Sequence, residues 1–143
     1  MRSLLYPLQS NSCSVGLLAV RVVMGVAFLF HGWPKINNPT GWMGEALPGA
    51  LQTAAAVTEF GGGILLLVGL LARPAALFMA ITMATAAYMG HISQGDPFVG
   101  KPGAPSWELA AIYCACSVLI LCAGAGKFSI DGVLFCPRDA NRD

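Results

Sequence analysis

Charge is what this chain has little of. Only 10% of its 143 residues are charged while 56% are hydrophobic, against roughly 25% charge in an ordinary soluble domain. From Phe60 to Gly90 the sole formal charge is Arg73. A water-soluble bundle needs a polar face on each helix, so the shortage excludes that solution and leaves lipid as the solvent. A basic excess is missing too: eight Lys and Arg nearly balance seven Asp and Glu, for a net charge of +1. That removes the electrostatic footprint a nucleic-acid partner requires.

The five cysteines, Cys13, Cys114, Cys116, Cys122 and Cys136, form neither a CxxC pair nor a zinc spacing. Cys114 and Cys116 stand two apart on an expected helix and so point about 200° away from each other. A dithiol mechanism is disfavoured, and the cysteines read as small apolar packing residues. With two histidines in the whole chain, Glu108 is the only obvious third ligand, and no metal site is expected. Haem ligation by His31 and His91 is disfavoured because both fall near one expected membrane surface. There is no Gly-rich nucleotide loop either, so no intrinsic cofactor is expected.

What is present is long apolar runs. Hydropathy marks four segments near the ~20 residues that cross a bilayer, at about 15–33, 50–71, 74–92 and 107–123. The first follows Arg2 and ends in Phe-His-Gly-Trp-Pro rather than in small residues of a cleavage site, and reads as a retained span. The expected fold is an all-α, single-domain, integral membrane four-helix bundle. Leu71-Ala72-Arg73-Pro74 makes a tight turn that places spans two and three antiparallel and adjacent. Two longer connections, 34–49 and 93–106, then share one side, the first with Trp42, Met43 and Leu47 available for the headgroup layer.

Arg2, Arg73, Lys127, Arg138 and Arg142 lie on the side of the termini, against Lys35 and Lys101 on the other. This bias puts both termini in the cytoplasm and both long loops outside, in a multi-pass membrane protein. Trp33, Trp42 and Trp107 fall at the outer interface, where an indole keeps its ring apolar and its N–H wet. The proline of His-Gly-Trp-Pro-Lys is expected to end the first helix there. The polar segment 135–143 reads as a C-terminal tail.

Ionisable residues inside a bilayer are costly, about 2.5 to 3.5 kcal/mol each on insertion scales, and so face the bundle interior. Arg21 lies six residues above the inner end of span one, or ~9 Å, and Glu59 stands deeper in span two. They are expected to pair and fix helix register, with a proton-relay or ligand role for Glu59 as the alternative. Small residues flank Glu59, with Ala55 and Gly63 four away on its face, and allow close helix approach or self-association. A second polar set belongs to the outer half: His31, Lys35, Tyr88, His91 and Glu108. If His31, Tyr88, His91 and Glu108 converge, they suit a quinone headgroup, which needs hydrogen-bond donors, a proton acceptor and apolar walls. Otherwise they are ordinary polar residues at helix ends.

Taken in order, "RVVMGVAFLFHGWPKI", "TEFGGGILLLVGLLARPAAL", "MATAAYMGH", the glutamate of "SWELA" and the close "GAGKFSIDGVL" resemble the DoxX family of small four-helix bacterial membrane proteins. The resemblance covers about 20–134. It carries the family's recurrent polar positions onto Arg21, His31, Lys35, Glu59, Arg73, Glu108 and Asp131. It implies a redox setting, since family members are associated with a quinone-reducing thiosulfate dehydrogenase and with membrane oxidoreductase assemblies. The resulting expectation is an accessory or quinone-interacting subunit that works with a cofactor-bearing membrane partner. The alternatives are a non-catalytic structural or assembly subunit and, only as an oligomer, a small-molecule permeation unit.

Overall fold

The computed structural model describes residues 10–135; the expected tail beyond Phe135 lies outside them. The described chain is all helical. Helix α1 spans Asn11–Asn37, α2 Gly49–Val68, α3 Ala72–Gly90, α4 Glu108–Ala123 and α5 Ile130–Phe135, with short 3-10 turns at Gly44–Ala46 and Ile92–Gln94. By length and composition α1, α2 and the stretch Ala72–Gln94 are apolar enough to cross a membrane, and α4 is a shorter apolar helix.

Each boundary has a local cause. Ser10 caps α1, its Oγ accepting the Cys13 amide at 3.1 Å, the bond an N-cap hydroxyl supplies. Helix α2 stops at Gly69, whose φ of 67° reverses the chain, a conformation that costs glycine little. The expected stop at Pro34 does not occur, because α1 runs through it to Asn37. A proline forfeits one amide, and here the last turn is held by other bonds: Asn37 Nδ2 donates to the Trp33 carbonyl at 2.9 Å, and Lys35 is drawn to Glu59.

The inward stripe of α1, Ser14, Leu17, Arg21, Met24, Gly25, Phe28 and Gly32, recurs every three or four residues, the spacing of one helix face. Its glycines set the approach of α2. A Cβ at Gly32 would lie 2.6 Å from the Phe60 nitrogen, and one at Gly25 2.9 Å from the Gly63 carbonyl. Met24, Phe28, Leu66, Met79, Met83 and Ile120 join all four long helices in one core. The α2–α3 seam is looser and opens outward as a cavity of about 470 Å³ floored by Gly61 and Gly62 and flanked by Val57, Ile64 and Phe78. Exposed valine, leucine, isoleucine and phenylalanine cover the outer faces, as lipid contact demands.

Candidate functional site

Two polar centres lie at opposite ends of the bundle. At the first, Arg21 is 1% exposed. Its Nε donates to the Leu66 carbonyl at 2.9 Å and Nη2 to that of Leu67 at 3.2 Å. Nη1 donates to the carbonyls of Ala125 and Phe128. Leu66 and Leu67 belong to the last turn of α2, where the Leu66 carbonyl also accepts the Gly69 amide at 3.2 Å, and a cation there meets the negative end of the helix dipole. Asp131, equally buried, does the converse at the start of α3. Its two carboxylate oxygens accept the amides of Leu71 and Ala72, each at 2.9 Å. Leu71 holds a left-handed φ of 49°, uncommon for a branched residue, and the Asp131 bonds help to fix it. Arg73, the remaining cation of the corner, donates Nη2 to the Cys122 carbonyl of α4 at 3.1 Å.

The second centre occupies the other end. Glu59 is 3% exposed and both of its carboxylate oxygens lie 2.6 Å from Lys35 Nζ. The same ammonium sits 4.5 Å from the centroid of the Trp42 ring, within cation–π range. Trp42 is in turn fixed by its Nε1 donating to the Gln52 carbonyl at 3.1 Å. Gln52 is fully buried: its Oε1 accepts the Met43 amide, and its Nε2 donates to the carbonyls of Gly44 and Leu47. That one side chain therefore folds the 38–49 connection down over the ion pair. Gln52 was not among the candidates from sequence. A lone polar residue at the start of an apolar run was the available signal.

The expected Arg21–Glu59 pair is absent, and the register of the two helices explains it. With Gly32 seated on Phe60, Glu59 stands level with the far end of α1, ~16 Å along the axis from Arg21 at 1.5 Å per residue. Lys35 is the cation within reach.

The outer candidates separate. Tyr88 is 63% exposed and points away from the core. His91 caps α3 and its Nδ1 lies 2.9 Å from Asp96 Oδ2. Glu108 begins α4 half-buried, with its amide donating to the Phe98 carbonyl at 3.1 Å. No hydrogen bond or ion pair joins His31, Tyr88, His91 and Glu108 among the described residues. His31 instead meets Tyr113 of α4, ring centroids 6.3 Å apart and edge to face, with Phe28 packed 4.9 Å from Tyr113. Because His31 and Lys35 are four apart on α1 they share a face. One end of the bundle thus gathers an imidazole, a phenol and a half-buried ammonium paired with a buried carboxylate beside an aromatic wall.

Helices of this length and apolarity with their ionic groups turned inward define a polytopic membrane protein. The DoxX family profile matches residues 16–92. The chain is 31% identical over 124 residues to inner membrane protein YqjF of Escherichia coli, covering 84% of this chain and 92% of that one. It is 32% identical over 123 residues to an uncharacterized protein of Haemophilus influenzae, covering 83% and 90%. No solved structure matches. The chain belongs to the DoxX family and is a multi-pass protein of the bacterial inner membrane.

Proposed function

We propose that this protein is an accessory subunit of an inner-membrane oxidoreductase system and receives a quinone headgroup at the end of the bundle that carries Lys35. In this reading all four long helices span the membrane, both termini face the cytoplasm, and the site lies toward the exterior. The observation that carries it is the meeting of His31 and Tyr113 across the α1–α4 seam, one helical turn from the Lys35–Glu59 pair. Neither the imidazole nor the phenolic hydroxyl has a hydrogen-bond partner among the described residues. Both are free to donate to a quinone carbonyl, and Phe28 supplies an apolar wall. Glu59 and Lys35 would hold the proton that a reduced headgroup exchanges. Electrons would come from a cofactor-bearing partner protein.

The test is quenching of intrinsic tryptophan fluorescence by a short-chain ubiquinone analogue titrated into the protein in lipid nanodiscs. Saturable quenching is expected, lost in His31→Ala and weakened several-fold in Tyr113→Phe. Quenching that stays linear in quinone, or that both variants leave unchanged, overturns the reading. A second reading, a non-catalytic structural or assembly subunit, is favoured by the Arg21–Asp131 corner, whose ionic groups bind only the chain's own backbone. Co-purification of a membrane partner from native membranes without quinone binding would select it.

A further inference from the structure

The segment after α4 does not leave the bundle as a chain entering water would. Gly124 and Gly126, with φ of 86° and 81°, turn it along the beginning of α1. There the Lys127 amide donates to Ser14 Oγ at 3.2 Å, and the Lys127 ammonium reaches Asn11 Oδ1 at 3.0 Å. The chain then climbs again. The Phe128 carbonyl accepts from Arg21, the Asp131 amide donates to the Gly69 carbonyl at 2.9 Å, and the Asp131 carboxylate caps α3. Residues 128–131 are therefore held at the level of Arg21 and of the α2–α3 corner.

Depth follows from α1. Its apolar run begins at Val15, and Arg21 comes six residues later, ~9 Å further into the membrane at 1.5 Å per residue. At that level the segment turns apolar side chains outward: Phe128 is 49% exposed, Val133 72% and Leu134 61%. Its single charge within 128–135, Asp131, is buried and fully bonded. Non-helical backbone is tolerated at membrane depth only where protein satisfies its polar groups. Arg21 does so for the carbonyls of Ala125 and Phe128. On α1, Val15, Val22 and Val23 are exposed as well.

We infer that residues 128–135 form a re-entrant segment inside the leaflet at the Arg21 end, with Val133 and Leu134 against phospholipid acyl chains. Lys127 marks the water boundary, and α5 is a membrane-embedded element rather than the start of a soluble tail.

Photo-crosslinking of the full chain tests this. A diazirine-bearing amino acid is placed at position 133, the protein is reconstituted in phosphatidylethanolamine–phosphatidylglycerol vesicles, and the adducts are read by mass spectrometry. The same residue at position 101, in the exposed 93–106 connection, reports water. Acyl-chain adducts several-fold more abundant at 133 than at 101 are expected. Water adducts at 133 matching those at 101 overturn the proposal, as does a crosslinked dimer as the main product. Position 134, also outward, repeats the measurement if the first variant does not fold.

Discussion

Arg21 and Lys35 stand on the same helix, and each has a partner on α2, yet the two ends they occupy are built differently. Around Arg21, four guanidinium hydrogen bonds and two carboxylate oxygens are directed at backbone groups at a helix end or in the 125–131 segment. Around Lys35, one cation answers one carboxylate, and a histidine and a tyrosine nearby keep unused hydrogen-bonding capacity among the described residues. The first arrangement closes the fold, and the second leaves chemistry available. Buried polar groups are costly unless satisfied. At the first end Arg73 Nε alone is buried without a partner among the described residues; at the second, His31 is exposed and Tyr113 half-buried, so their open hydrogen-bonding positions carry no such cost.

The largest test of that contrast is Arg21→Met. It strands up to three carbonyls, those of Leu67, Ala125 and Phe128, and should lower stability by about 3–5 kcal/mol, read as a fall in the midpoint of detergent or thermal unfolding. Quinone quenching in the surviving folded fraction should be unchanged. An unaltered midpoint would mean that the corner is not structural. Next comes Gly32→Ala, whose Cβ would strike the Phe60 backbone. The cost of overpacking is about 1–3 kcal/mol, and the shifted α1–α2 register should also loosen Lys35 from Glu59. Gly61→Ala, on α2, is its counterpart: nothing lies within 4 Å of the added carbon, so helix propensity should raise stability by about 1 kcal/mol at most. Equal effects from the two glycines would deny the difference between the tight α1–α2 face and the open α2–α3 seam. The smallest stability change belongs to Tyr113→Phe, within about 0.5 kcal/mol. Its effect should appear instead in the quinone titration, where the two ends are expected to part most clearly.

Much of the scaffold was legible beforehand. The scarcity of charge and the four apolar runs specified helices in lipid because backbone polar groups there need internal partners. The tight Leu71–Pro74 turn follows from the sequence of the corner, and the inward placement of Arg21 from the cost of charge in hydrocarbon. The site was less legible. His31 was named from sequence, but its neighbour Tyr113 was not, because the α1–α4 contact is a product of three-dimensional packing. Tyr88 and His91 were grouped by helix spacing, which ignores that His91 terminates α3 and turns to Asp96 instead.

Ionic pairing shows the division most sharply. Composition required that Arg21 and Glu59 be shielded from hydrocarbon, since an ion in a medium of low polarity needs a partner wherever it sits. Which partner each would find depended on the axial register of α1 against α2. Close backbone approach at Gly25, Gly32 and Gly63 sets that register. Hydropathy counts residues from the membrane edge and is blind to such an offset. Only the packed tertiary structure could give Glu59 to Lys35 and leave Arg21 to bind carbonyls.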